Sequence, residues 1–304
     1  MKARVAMIIP YFGQWPEWMD LYLYSCSRNP EVDFLFFTDC PIPVTVYSNT
    51  FFTTISFKEY CDHVSNVLEI NFRPTRAYKL CDLKVFYGLI HAENIKDYDF
   101  WAFGDVDLIF GNLGLVINDK NLSKYNLITT HSYHVGGHFT VVRRESLYTS
   151  LCLQIPSWRK LLLDTKNYGI DEGIWSSLAY PQLKNVARVF RYLVRPLFHI
   201  PYFTYLTWAN KLFCNRFTHI LYREYYTTPN PLPSQCWTYQ PLDNKVWRYD
   251  GLELPYLHLI GWRKCEYALP GGLYWDKGIY KLPINWKPTN GKLIFISHNG
   301  IWEE

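Results

Sequence analysis

Residues 100–112 read FWAFGDVDLIFGN, and this stretch constrains the fold more than any other. From Phe100 to Phe103 the sequence is uninterruptedly apolar, which reads as a buried strand. Asp105 and Asp107 follow one residue apart, and Leu108 to Phe110 is apolar again. Carboxylates set among so many buried neighbours are costly without a counter-charge. Gly104 makes a backbone turn easy there, and acids at i and i+2 beyond a turn can converge on one divalent cation. Hard oxygen ligands suit Mg²⁺ or Mn²⁺. The plain structural alternative is a pair of solvated turn acids.

The rest of the first half supplies a frame for that strand. Residues 5–10 (VAMIIP) read as a strand ended by proline and a turn at Gly13. Residues 17–27 read as a helix, 33–38 as a second apolar strand followed by Asp39, and 45–47 as a short strand. Residues 77–93 carry helical spacing, with Leu80, Leu83, Phe86, Tyr87 and Ile90 on one side. Residues 127–130 and 138–142 are further short strands. Alternating strands and helices predict an α/β, Rossmann-like fold with a mostly parallel sheet flanked by helices. Ligands of such sheets bind beyond the carboxyl ends of the strands. Pro10 to Gly13, Thr38-Asp39 and Asp105 to Asp107 sit at three such ends.

These motifs together resemble GT-A glycosyltransferases. The likeness rests on VAMIIPYFG, the Thr38-Asp39 pair, a helix carrying Lys79 and Asp82, and DYDFWAFGDVDLIFGNL. Within that class it resembles a bacterial group associated with surface-polysaccharide gene clusters, and it is clearest over residues 1–145. The resemblance implies a GT-A-like fold in which Asp105 and Asp107 bind Mn²⁺ or Mg²⁺ on the diphosphate of a nucleotide-sugar, with Asp105 also near the ribose or donor sugar. It implies that Pro10, Tyr11, Phe12 and Asp39 hold the nucleoside, and that Lys79 and Asp82 lie near the phosphates and donor sugar.

Later segments extend the resemblance. LPYLHLIGWRK (residues 254–264) matches a late H-x-x-G-x-x-K pattern, implying His258 as a third metal ligand and Lys264 on the diphosphate. A lone histidine in an apolar run is otherwise a satisfied core residue. Asp171 and Glu172 lie in YGIDEGIWSSL, where either could be a general base or position the sugar. Plain helix-start acids are the alternative. His131, His134 and His138 flank Gly136 and Gly137, a segment read as sugar-contacting, with the glycines admitting close approach.

Composition narrows the partners. Of 304 residues 18% are aromatic, including 25 Tyr and 12 Trp, enough both to fill a core and to stack on sugar or base rings. A net charge of +4 is too weak to argue for nucleic acid. Residues 173–223 hold no Asp or Glu but include Arg188, Arg191 and Arg195 among many aromatics. Such a segment suits an anionic membrane surface and would place the protein beside a lipid-linked saccharide acceptor. A solvated basic face is the alternative. The eight cysteines form no C-x-x-C pair, which argues against zinc and for a reducing compartment. The N-terminal apolar run stops at Pro10, too soon for a signal peptide, and no stretch approaches the roughly 20 apolar residues of a spanning helix.

The resulting expectation is one domain over residues 1–304, with a nucleotide-sugar-binding half (1–145) and an acceptor-side half (146–304). Its activity would be metal-dependent transfer of a sugar from a UDP-hexose, UDP-galactose first among them, to a saccharide acceptor. The setting would be lipopolysaccharide O-antigen or capsule assembly, in the cytoplasm at the inner face of the membrane. The rivals are a metal-dependent nucleotidyltransferase or phosphohydrolase, and a non-catalytic carbohydrate-binding scaffold.

Overall fold

In chain order the strands of the first half are β1 (Val5–Tyr11), β2 (Val32–Thr38), β3 (Thr50–Thr54), β4 (Phe100–Gly104), β5 (Leu108–Phe110), β6 (Leu127–Thr129) and β7 (Phe139–Arg143). They come from a computed structural model that describes residues 3–16, 18–131, 134–179, 236–259, 291–297 and 300–304. Six of them form one sheet in the order β3-β2-β1-β4-β7-β6. β3, β2, β1 and β4 run parallel, while β7 is antiparallel to both β4 and β6. The parallel block therefore delivers Tyr11, Thr38 and Gly104 to one edge. The fold is α/β with a mostly parallel central sheet, as the alternation of elements implies.

Side-chain alternation explains why the sheet is covered on both faces. Val5, Met7, Ile9 and Tyr11 enter one apolar cluster, while Ala6 and Ile8 enter another. β4 divides in the same way, Phe100 and Ala102 to the first, Trp101 and Phe103 to the second. The first cluster takes in α1 (Met19–Ser27), and the second takes in Tyr60, Cys61, Val64 and Leu68 of α2 (Phe57–Leu68).

The later strands are β8 (Trp237–Gln240), β9 (Lys245–Trp247), β10 (Glu253–Leu254), β11 (Tyr256–His258), β12 (Ile294–Ser297) and β13 (Gly300–Glu303). Five make an antiparallel sheet in the order β10-β9-β8-β12-β13, and β11 pairs with β5. Trp237, Tyr239, Ile294 and Ile296 join the same cluster as Val5 and Met7, so both halves of the chain share one core. Among the described residues no helix is long and apolar enough to cross a membrane. Most of the basic segment 173–223 falls in residues 180–235, and Lys264 falls in 260–290. Both lie outside the described residues.

Three elements differ from the sequence reading. Residues 45–47 form no strand; the third parallel strand starts at Thr50. Pro41 and Pro43 fix the backbone just upstream, and buried Asn49 anchors the turn by reaching the carbonyls of Cys26, Asn29 and Val32. α2 was not anticipated, although its start is written in the sequence. Ser56 and Glu59 form a reciprocal capping box. Residues 77–93 are not one α-helix. Ala77–Phe86 is a 3-10 helix that passes into a short α-helix, α3 (Tyr87–Ile90).

That 3-10 segment relocates Lys79 and Asp82. With three residues per turn they stack directly above one another, and they form a buried pair at 2.9 Å, 2% and 0% exposed. The remaining Lys79 donors reach the carbonyls of Leu161 and Lys166 at 2.8 and 2.5 Å. Asp82 accepts from the backbone N–H groups of Tyr168 and Ile170. The pair thus braces residues 161–170. Removing one partner would strand a buried charge, so Lys79→Met is expected to cost ~3–5 kcal/mol. Urea denaturation checks this, and a loss under about 1 kcal/mol would refute the brace.

Candidate functional site

The segment carrying Asp105 and Asp107 is held by its backbone. The Asp105 N–H donates to the His138 carbonyl at 3.1 Å, extending the β4–β7 ladder. The Val106 carbonyl accepts from the Trp18 indole at 2.9 Å. The Asp107 carbonyl accepts from the Leu259 N–H at 2.7 Å, extending the β5–β11 pairing in which His258 faces Leu108. Gly104 serves this arrangement differently from the sequence expectation. It is not a turn but a strand residue, and a Cβ there would meet the Met7 sulfur at 2.7 Å.

A cavity of about 580 Å³ opens beyond these strand ends. Its wall brings together Pro10, Tyr11 and Phe12 from the end of β1, Asp105 and Asp107, Asp171 and Glu172, and His258. These eight residues, all singled out in the sequence, therefore meet in one place. Asp39 is not on this wall. It accepts from the Gly13 N–H at 2.8 Å and so fixes the turn after β1, where Gly13 has φ +112°. Lys79 and Asp82 are also absent from the wall, because they form the brace described above.

The 3-10 helix instead presents Tyr78, Cys81 and Lys84 to the cavity, with Tyr87 beyond its end and Arg76 at its start. The spacing 78, 81, 84, 87 is the three-residue repeat of a 3-10 face. Of these four, an α-helical period singles out Tyr87 alone and leaves Lys84 without a signal. Its ammonium lies 2.6 Å from Asp105 Oδ1 and donates to the Gly137 carbonyl at 2.9 Å. Burial alone would lower the Lys84 pKa, but the Asp105 charge, with Cys81 and Asp171 behind it, holds it well above the usual lysine range.

Two acids have no such partner. Burial raises the Asp107 carboxyl to about 6; His258 opposes the rise and Asp105 adds to it. Asp107 Oδ1 is buried without a hydrogen-bond partner and lies 3.7 Å from His258 Nε2, beyond hydrogen-bonding range. An orphaned carboxylate oxygen facing an imidazole nitrogen is a donor set that suits Mn²⁺. Asp105, once exchanged from Lys84, would add a second carboxylate. As the chain stands, no group of three or more His, Cys, Asp or Glu among the described residues is already arranged around a metal position.

Asp171 is the second such acid. It begins a π-helical turn, Asp171–Trp175, an irregularity frequent at functional sites. Burial raises its carboxyl to about 6, against the pull of Lys84. Its close neighbour is Gly137, where an added Cβ would meet Asp171 Oδ2 at 2.5 Å. Glu172 is more exposed and accepts from the Gly137 N–H at 3.2 Å. The loop with Gly136 and Gly137 thus adjoins the acids, whose carboxylates fill the space that a Cβ at Gly137 would need.

The model of one protein family matches residues 7–260. The chain belongs to DUF6625, a family of unknown function. The DUF6625 match spans the described cavity wall from Ile9 to His258. No curated protein matches the sequence.

Solved structures similar to this DUF6625 chain include mouse xyloside xylosyltransferase 1, at 11% identity and TM-score 0.34, covering 59% of this chain and 83% of that one. The galactosyltransferase LgtC is similar at 12% identity and TM-score 0.32, covering 56% and 71%. The glycosyltransferase GlyE of Streptococcus pneumoniae TIGR4 is similar at 13% identity and TM-score 0.32, covering 61% of this chain and 44% of that one. At such TM-scores these likenesses carry no argument.

The raised Asp171 carboxyl has a consequence for stability. A folded-state pKa of about 6 against an ordinary 3.8 means that the folded chain favours the protonated acid. That contribution is complete below about pH 4 and is lost as the pH rises through 6. Asp171→Asn is therefore expected to stabilise the chain at pH 8 by ~2–3 kcal/mol and to leave it unchanged below pH 4. Urea denaturation across that range measures the difference, and an equal effect at both ends would contradict the assignment.

Proposed function

We propose that this chain is a metal-dependent glycosyltransferase that moves a hexose from a nucleotide-sugar, a UDP-hexose in the first instance, to a saccharide acceptor. The observation that carries the proposal is the paired acid Asp105-x-Asp107 beyond the end of β4. Asp107 Oδ1 there is buried, without a hydrogen bond, and lies 3.7 Å from His258 Nε2 on the wall of a cavity large enough for a ligand. Asp105, Asp107 and His258 would hold Mn²⁺ or Mg²⁺. When bound, the cation neutralises charge on the diphosphate leaving group.

The chain's own residues do the rest. Pro10, Tyr11 and Phe12 form the wall on which the nucleoside lies. Arg76 and Lys84 are the described lysine and arginine side chains on the wall, and they supply fixed positive charge toward the phosphates. Lys264, beyond the described residues, would add a third such charge. In this reading Lys79 and Asp82 act from behind the wall by bracing the loop that leads into Asp171.

Asp171 is set against the Gly137 backbone, where a sugar can approach closely, and its environment poises it to exchange a proton near neutral pH. It either takes the proton of the attacking acceptor hydroxyl or orients the sugar, with Glu172 beside it.

The resemblance to GT-A enzymes of surface-polysaccharide clusters supports a place in O-antigen or capsule assembly. There the acceptor is lipid-linked and the basic segment 173–223 rests on the cytoplasmic face of the membrane.

The test is turnover of UDP-galactose, UDP-glucose and their N-acetyl forms with Mn²⁺, followed as release of UDP. Asp105→Asn and Asp107→Asn are expected to lower the rate at least ~100-fold, the order of a lost transition-state charge contact; Asp107→Asn keeps the melting temperature, whereas Asp105→Asn also lowers it by stranding the Lys84 ammonium. A variant pair that retains wild-type turnover would overturn the proposal.

A further inference from the structure

A buried polar chain that the proposed function does not use runs inward from the cavity wall at His138. His138, 3% exposed, stands at the start of β7. Its ring stacks on that of His258 with centroids 4.2 Å apart and planes 24° from parallel. Its Nε2 lies 2.7 Å from the Tyr256 hydroxyl. The Tyr256 hydroxyl is in turn in a short hydrogen bond with Thr130 Oγ1. Tyr256 and Thr130 are both fully buried.

His138 is located from two sides at once. Its carbonyl accepts the Asp105 N–H, and the carbonyl of its neighbour Gly137 accepts from Lys84. One backbone segment is therefore tied to both members of the Lys84–Asp105 pair, while the His138 ring is tied to Tyr256 and His258 on β11. Asp105 and His258 are far apart in sequence, and His138 touches both.

We infer that His138 is a positioning residue, which with Tyr256 holds the His258 imidazole toward Asp107 so that the two can share one cation. The inference rests on the metal-dependent reading above. The physical reason is rotational. The plane of an imidazole ring sets where its nitrogen points, and the side chains packed against the ring select that plane. The parallel His138 ring fixes that plane, and the Tyr256 hydroxyl fixes the His138 ring and its tautomer. Partners of this kind behind a metal ligand change metal affinity by about 10–100-fold when removed.

The experiment is titration of the full chain with Mn²⁺ alone, with free Mn²⁺ read by electron paramagnetic resonance. Wild type, Tyr256→Phe, His138→Phe, His258→Ala and the double variant Tyr256→Phe/His258→Ala are compared. Tyr256→Phe is expected to weaken Mn²⁺ binding at least ~10-fold while the chain stays folded by its melting transition. In the His258→Ala background the same change is expected to have no further effect, because Tyr256 acts through that imidazole. His138→Phe keeps a ring in the stack and loses the hydrogen bond, so it should resemble Tyr256→Phe.

Wild-type affinity in Tyr256→Phe would overturn the inference and leave the metal-dependent reading standing. So would abolished binding in His138→Phe beside wild-type affinity in Tyr256→Phe, which would make His138 itself a ligand. Absence of Mn²⁺ binding by the wild type, with and without UDP, would overturn the metal-dependent reading and the inference with it.

Discussion

Negative charge gathered at the buried end of β4 sets the terms for the structure around it. Asp105, Asp107, Asp171 and Glu172 share one cavity wall, and among the described residues Lys84 is the ammonium within 3 Å of any of them. Removing carboxylates from water costs several kcal/mol each unless cations or donors replace it. Asp107 and Asp171 register that cost as carboxyls raised to about 6. The chain holds the acids there through backbone contacts to Asp105, Val106 and Asp107 and through the Lys84 pair. In the proposed function a bound cation would relieve this electrostatic load.

Holding the acids requires both halves of the chain. β11 is more than a hundred residues from β5, yet it pairs with it in register and sets His258 next to Asp107. The core that supports this pairing runs from Val5 to Ile301. Closing so long a loop is entropically unfavourable, and the buried Tyr256–His138 and Tyr256–Thr130 contacts help offset it where the site needs rigidity.

Strands β1, β2, β4, β6 and β7 and the acids were legible in the sequence because their signals are local. An apolar run that ends in Asp-x-Asp, and strands separated by helical spacing, need no knowledge of distant residues. The helix at Phe57–Leu68 was legible too, through Ser56 and Glu59, and went unread. The face of residues 77–86 was not legible, because a ten-residue 3-10 helix breaks the 3.6 period on which helical reading depends. The resemblance pointed to Lys79 and Asp82, which brace a loop, and the 3.6 period gives no sign of Lys84, which meets Asp105. The role of Gly104 was hidden for a related reason. Its contact with Met7 crosses from one strand to the next, and nothing in residues 100–112 announces it.

Calorimetric titration of the chain with UDP, GDP and CDP, each with Mn²⁺ and with EDTA, separates a metal-bridged nucleotide site from a bare acidic wall. UDP is expected to bind in the presence of Mn²⁺, and EDTA to weaken this binding at least ~100-fold, as a lost cation bridge to a diphosphate requires. Nucleotide binding that is equally tight with EDTA would contradict the metal-dependent reading. Asp105, Asp107 and His258 would then be a charged wall with no metal to hold.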